Sequence, residues 1–503
     1  MSAAWRGAAL AALVAAAAAP AAAAGLRIGL LSDPDALDPA TGTSFTGRIV
    51  FASLCDKLID IDEKIDFVPQ LATSWSWSAD GLTLTFKLRE GVVFHDGEPF
   101  DAAAAKANLD RYRTMPTSRR RAELKPVASV EAPDPTTLVL RLSEANAPLM
   151  AVLADRAGMM MSPKAVAAAG DRAGTAPVCS GPFRFKQRVP LERIVLERFD
   201  RYWDAAAIHL DSVTFAMVPD NSVRLVNLRA GQLDLIERIA PSDVKTVRGD
   251  ARLRLESVTG LAYDSILINV GHGDKAAGPL GRSAKVRAAF EASLDRAVIN
   301  QVVFEGAFTP SNQAEAPGTR YANPERPVPP RDVALAKRLL RESGHERVAF
   351  TLRVVNTPST VQVGEVIQSM AAEAGFDVKV EATEAGTYVA ATERGDFEAA
   401  IGIWSGRADP DGNITIWIQC DGMVNRGRYC NRELDQLFAQ ARAVTDVAQR
   451  QALYRKATAI YLDERPLLGL YHYTWIWGMS RNLQGFKPHP DGLIRPQGLR
   501  FTN

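Results

Sequence analysis

Cysteine and histidine are both scarce in this chain. Its four cysteines, Cys55, Cys179, Cys420 and Cys430, stand among 503 residues. They are too few for a disulfide scaffold and are spaced like no zinc motif. The six histidines are scattered, with no H-x-x-H pair or comparable cluster to gather a metal. No G-x-S-x-G occurs, so the strained turn that presents a hydrolase serine is missing. His95-Asp96-Gly97 has the look of a hydrolytic fragment, yet it falls in a hairpin with no nucleophile beside it. Charge of one sign is lacking too: the formal net charge is +1. That balance offers little attraction to a nucleic-acid backbone or an anionic membrane surface. Beyond residue 24, no apolar run approaches the ~18 residues needed to span a bilayer.

The first 24 residues do carry a pattern. Arg6 is their only charge, an Ala/Leu/Val run follows, and Ala22 and Ala24 form an A-x-A cleavage site. A single membrane helix is the competing reading, weakened by the low apolarity of alanine and by Pro20. An exported chain cut near Ala24 is expected, soluble in an oxidising compartment such as a bacterial periplasm. No Cys follows the cut, so a lipid-anchored protein is not expected. Outside the cytoplasm, Cys420 and Cys430 are expected to bridge a short loop. Cys55 is left with Cys179 by elimination, buried free thiols being the alternative.

The mature chain of roughly 480 residues is too long for one core and predicts two or three domains. Leu82, Leu84, Phe86 and Leu88 alternate with Thr83, Thr85 and Lys87, the pattern of a half-buried strand. With strands over 127–132 and 137–142, this predicts a mixed sub-domain with an antiparallel sheet over 69–177. A long amphipathic helix is expected from Ser283, with Val286, Phe290, Leu294 and Val298 on one face. A strand over 349–355, a helix over 361–374 and a strand over 376–380 make a β-α-β unit and predict a mostly parallel sheet. A later helix is capped by Asp446 with Gln449 at its third position.

The next strand, over 399–404, ends in Trp404 and runs into Ser405-Gly406-Arg407-Ala408-Asp409-Pro410-Asp411-Gly412-Asn413. Ligands bind beyond the carboxyl ends of strands in open sheets. Trp404 supplies a flat apolar wall and Arg407 a two-pronged fork for a carboxylate. The alternative is that Trp404 fills core and Arg407 pairs with Asp409 or Asp411.

Several segments together resemble the family 5 extracellular solute-binding proteins of ABC importers, the peptide/nickel/opine group. They are Leu37-Asp38-Pro39, Pro69 to Trp75 leading into Leu84 to Gly97, Ser180-Gly181-Pro182-Phe183, Arg201-Tyr202-Trp203-Asp204, Val286 to Phe290 with Leu294-Asp295-Arg296, Trp404 to Asn413, and Tyr461 to Pro466. The resemblance implies an α/β fold of two hinged lobes joined by two crossover strands, near 263–270 and 473–479. An extra α+β sub-domain, 69–177, would sit on the first lobe. Lobe I would comprise 25–68, 178–264 and 478–503, and lobe II 265–477. It also implies solute capture by lobe closure and delivery to an inner-membrane permease, with no cofactor and a monomeric chain. Dipeptide-binding relatives carry an Asp three residues after this Trp, and here that place is Arg407. The inverted charge favours a solute with a carboxylate: a short or modified peptide, or an opine-like conjugate.

The expected ligand-binding residues are Arg407, Trp404, Trp475, Tyr473, Asp409, Phe45 and Asn356. Tyr473, Trp475 and Trp477 share one strand face, with core packing as the alternative. Asp409 also suits a turn-shaping role. Arg119-Arg120-Arg121 reads as a solvated face from which one guanidinium could enter the cleft. A metal chelate or haem presented by its carboxylates would suit Arg407 as well, and an exported hydrolase is the remote alternative.

Overall fold

The computed structural model describes residues 24–502. The export segment expected over 1–24 falls outside these residues except for Ala24.

One mixed sheet runs through both lobes. Its centre is a pair of long antiparallel strands, Leu253–Ile268 and Leu467–Ser480. On one side lie Ala399–Trp404, Val348–Val355 and Phe376–Thr383, parallel to one another. On the other side lie Leu235–Ile236, Gly25–Leu30 and Ser212–Met217, also parallel, followed by the antiparallel pair Arg193–Arg198 and Phe183–Val189. The β-α-β alternation thus gives the parallel outer parts that it predicts. The two central strands make the whole sheet mixed, because each passes from one lobe into the other. Their pairing slips between Thr259 and Tyr263.

Each lobe buries both faces of its part of the sheet. In the second lobe, Ile266, Phe290, Phe350, Ile367 and Phe376 pack on one face, and Leu267, Trp417, Phe438, Tyr454 and Tyr461 on the other. The amphipathic stretch from Ser283 is two helices, Ala284–Ala292 and Arg296–Phe304. The Asp295 carboxylate accepts from the Val298 N–H and starts the second helix afresh. That turns Val298 outward, 42 % exposed, instead of into the core. The Asp446 cap forms on Val447–Glu464, accepting from the Gln449 N–H.

A separate four-stranded antiparallel sheet, Ala72–Trp77, Thr83–Leu88, Thr137–Leu142 and Val127–Asp134, carries the sub-domain. Leu84, Phe86 and Leu88 point into its core, as the alternation requires. His95 is committed to backbone here: its Nδ1 accepts from the Cys179 N–H and its Nε2 lies 3.0 Å from the Gly181 carbonyl. Both ring nitrogens are therefore engaged away from any nucleophile.

Cys55 is bonded to Cys179, and Cys420 to Cys430. The second bridge closes a loop of sequence separation 10 beside the Trp404–Asn413 turn. Replacing both Cys420 and Cys430 by serine is expected to cost about 2–3 kcal/mol by relaxing the unfolded chain. Urea unfolding checks this, and an unchanged midpoint would mean that the loop is held by other contacts.

Candidate functional site

The two lobes meet across a gap at the carboxyl end of the Ala399–Trp404 strand. The Ala147 N–H of the sub-domain donates to the Arg442 carbonyl of the second lobe at 2.8 Å. Arg320 pairs with Asp66 across the same gap. Ala408 packs against the sub-domain's apolar core. Between the lobes remains a cavity of about 310 Å³, lined by Glu123, Ala151 and Asp155 on one side and by Trp404, Arg407 and Ile416 on the other. That volume is in the range of small-molecule sites.

Arg407 is placed by its own turn. Its N–H donates to Asn413 Oδ1 at 2.7 Å, while Nη1 donates to the Gly406 carbonyl and Ser405 Oγ. The guanidinium carbon lies 5.1 Å from the Trp404 ring centroid. Trp404 is fixed in turn by its indole N–H, which donates to the Gly412 carbonyl at 2.9 Å, and by an edge contact with Trp417. The indole wall and the fork therefore stand together as one rigid unit.

The acids around Arg407 are already engaged. Asp155 pairs with Arg48 at 3.0 Å, Glu123 with Arg120, Asp411 with Arg442, and Asp409 with Arg450. Burial would raise the Asp155 carboxyl, but Arg48 and Arg156 hold it well below the usual carboxylate range. Burial pushes the Glu315 carboxyl up to about 8, so it stays largely protonated near neutral pH. Arg407 forms no ion pair among the described residues. Burial first and Arg48 second lower its pKa, with Asp155 and Glu123 opposing. It is a cation in a partly desolvated place with its charge unanswered, which favours an incoming anion.

Of the other sequence candidates, Phe45, Tyr473 and Trp475 border none of the cavities at Arg407 and pack with the first lobe's core. Asp409 borders the cavity, but both carboxylate oxygens accept from Arg450, at 2.7 and 2.9 Å, and one also accepts from the Asp411 N–H. Three of its roughly four lone-pair sites are taken by these donors, the arrangement of a turn-shaping residue. Trp475 is 7 % exposed and stacks on Phe45, centroids 4.9 Å apart and planes within 10°. Its N–H donates to the Pro490 carbonyl. Tyr473 donates its hydroxyl to Asp264 at 3.0 Å, and Trp477 is buried against Phe486. Asn356 sits at the same end of the sheet, two strands from the central pair, with its N–H on the Thr383 carbonyl. It borders none of the cavities at Arg407. His472 is fully buried and faces the Gln313 carbonyl, away from the gap. Of the basic triplet, Arg120 is the buried member, bonded to Glu123 and the Gly42 carbonyl instead of to water.

A larger cavity, about 520 Å³, opens within the segment 309–328 of the second lobe. Arg320 and Arg326 on its wall are paired with Asp66 and Asp463. Among the described residues, the one grouping with metal-ligand spacing is Cys420, Cys430 and Asp435, whose thiols are joined in a disulfide.

Asp264, on the crossover beside the gap, holds an unusual proton. Burial pushes its carboxyl up to about 7, and the hydroxyls of Tyr471 and Tyr473 oppose this only in part. The folded protein thus keeps a proton that the unfolded chain releases near pH ~4. The Asp264 contribution to stability is highest below that pH and falls as pH rises to about 7. In Asp264→Asn the melting temperature should fall less over this window than in the unaltered protein. Parallel pH profiles for the two would show that Asp264 ionises normally.

A two-lobed α/β fold with a cavity between the lobes is the architecture of a solute-binding protein. The comparisons with known proteins give the family. Residues 66–425 match the "Bacterial extracellular solute-binding proteins, family 5 Middle" description. The chain is 31 % identical over 470 residues to the glutathione-binding protein GsiB of Escherichia coli strain K12, covering 90 % of each. In fold it is similar to HbpA2 from Haemophilus parasuis, with TM-score 0.85, 24 % identity and coverage of 95 % of this chain and 100 % of that one. It is also similar to AgaA of A. tumefaciens R10 in complex with agropinic acid, with TM-score 0.79, 23 % identity and coverage of 95 % and 99 %. The chain belongs to the family 5 bacterial extracellular solute-binding proteins. The curated relatives it matches are binding proteins, not enzymes.

Proposed function

We propose that this protein captures a small carboxylate-bearing solute, a short or modified peptide or an opine-like conjugate, and delivers it to an inner-membrane permease. Arg407 takes the carboxylate and Trp404 forms the apolar wall beside it. The observation that carries this reading is the unpaired Arg407 guanidinium, set among acids that are each paired or kept protonated. The lobe division 25–68, 178–264 and 478–503 against 265–477 serves as the working boundary of closure, and the export pattern read over 1–24 supports work in the periplasm. GsiB relatives make reduced glutathione, a modified tripeptide, a first probe, and the AgaA complex makes opine conjugates a second.

Isothermal titration with both, together with native mass spectrometry of protein purified from its own periplasm, tests the reading. A retained or titrating solute that bears a carboxylate supports it. A retained solute with no acidic group defeats it. Closure itself predicts a smaller radius of gyration with solute than without, and identical scattering curves would argue against it.

A further inference from the structure

The sequence marks one cation of the gap, and the fold brings a second to it. Arg238 follows the short strand Leu235–Ile236, which is parallel to Gly25–Leu30. It therefore stands beyond carboxyl ends of parallel strands in the first lobe, as Arg407 does in the second. Its guanidinium carbon lies 5.0 Å from the Phe45 ring centroid and 5.1 Å from that of Trp475. Next to it, Ile239 and Ile476 pack with Ala307 of the other lobe, so this is a lobe-to-lobe contact.

Arg238 is held at some cost, and its guanidinium keeps donors free. Its backbone is left-handed, with φ 54°, a region that non-glycine residues avoid and that clusters at ligand clamps. Its side chain is 39 % exposed and makes no hydrogen bond among the described residues, and Nε is buried without an acceptor. The nearest carboxylate oxygen, Glu237 Oε2, is 3.6 Å from Nε. Glu237 is shared, however: its other oxygen accepts from the Leu31 N–H, and Arg224 also draws on its charge. Arg238 thus spends no hydrogen bond on Glu237, and its terminal N–H groups have no acceptor among the described residues.

We propose that Arg238 is a second anion-holding group of the same gap, so that the solute carries two acidic groups, one for Arg407 and one for Arg238. This rests on the reading of Arg407 given above. Trp475, under Arg238, pairs with Val258, and Trp404, beside Arg407, pairs with Tyr263. Val258 and Tyr263 are five residues apart on one central strand and their partners Trp475 and His472 three apart on the other, which puts the two anchors roughly 10–17 Å apart before either side chain reaches inward. A solute about three residues long, with acidic groups at opposite ends, spans the remainder. Phe45 and Trp475 give Arg238 the same aromatic backing that Trp404 gives Arg407.

The test titrates reduced glutathione, which has two carboxylates, and its glycine monoethyl ester, which has one, against the unaltered protein, Arg238→Ala and Arg407→Ala. Arg407→Ala should weaken glutathione by about 30- to 900-fold and Arg238→Ala by about 10- to 100-fold. Esterification should abolish sensitivity to one arginine and leave sensitivity to the other. Arg238→Gly, which releases the left-handed backbone but leaves the buried Glu237 carboxylate without its ion-pair partner, should lose affinity as Arg238→Ala does; Arg238→Lys should recover part of it. Full affinity in Arg238→Ala, with loss in Arg407→Ala, overturns the second subsite and leaves the first. Full affinity in both overturns both. If the unaltered protein binds neither probe, the solute retained from its periplasm is methyl-esterified and weighed. Two added methyl groups support the proposal, and one or none overturns it. A protein with no retained solute and no probe binding overturns the proposal and the reading beneath it.

Discussion

Arg407→Ala is expected to weaken binding of the carboxylated solute by about 2–4 kcal/mol, most of it in the dissociation rate. Folding stability should change by less than about 0.5 kcal/mol. The asymmetry follows from what the side chain touches. Its hydrogen bonds go to Ser405 and Gly406 of its own turn, and the Asn413 contact that shapes that turn uses the Arg407 backbone N–H, which alanine keeps. No carboxylate is left unpaired when the guanidinium goes, and Arg48 loses a neighbour of like charge. In a partly desolvated gap, a bidentate pair with an incoming carboxylate has no such substitute. Arg407→Lys keeps the charge but not the fork, and should fall between the two. Titration calorimetry and thermal melting on the same preparations check both halves. Unchanged affinity in Arg407→Ala would remove the residue from the site.

What could be read from the sequence was local. The strand to Trp404, the alternation from Leu84 to Leu88 and the Asp446 cap depend on neighbours within a few residues, and period and capping chemistry declare them. The candidate turn was legible for the same reason, since its Gly, Asp, Pro and Asn follow a strand end. The missing parts depend on partners far along the chain. Asp409 is satisfied by Arg450, 41 residues on, and Arg120 bonds to the carbonyl of Gly42, 78 residues back. A basic triplet therefore looks solvated until the sub-domain folds over it. Arg238 follows a two-residue strand too short to show a period, and nothing adjacent announces a left-handed backbone at an arginine. The split after Ala292 is a different case. Asp295 three residues before Val298 was itself an N-cap signal, and the continuous apolar spacing outweighed it.

Asp409→Ala should separate a residue that shapes the site from one that touches solute. Asp409 and Arg450 are each about 5 % exposed as side chains and joined by two hydrogen bonds. Burial alone would lower the Arg450 pKa; Asp409 beside it raises it above the ordinary value. Removing the carboxylate leaves a guanidinium buried beside Tyr321 and Tyr454 with no counter-charge, a cost of about 3–5 kcal/mol. One of these oxygens also starts the short helical turn Pro410–Gly412, whose Gly412 carbonyl anchors the Trp404 indole. Affinity should therefore fall too, as the wall and the fork loosen together. The pair of substitutions Asp409→Leu with Arg450→Met distinguishes the causes, because no buried charge remains in it. Stability should return to within about 1–2 kcal/mol of the unaltered protein. If affinity returns with it, Asp409 acts by holding the turn. If stability returns and affinity stays lost, a direct bond from Asp409 to the solute is required. Denaturant unfolding and calorimetry on the three proteins decide between these outcomes.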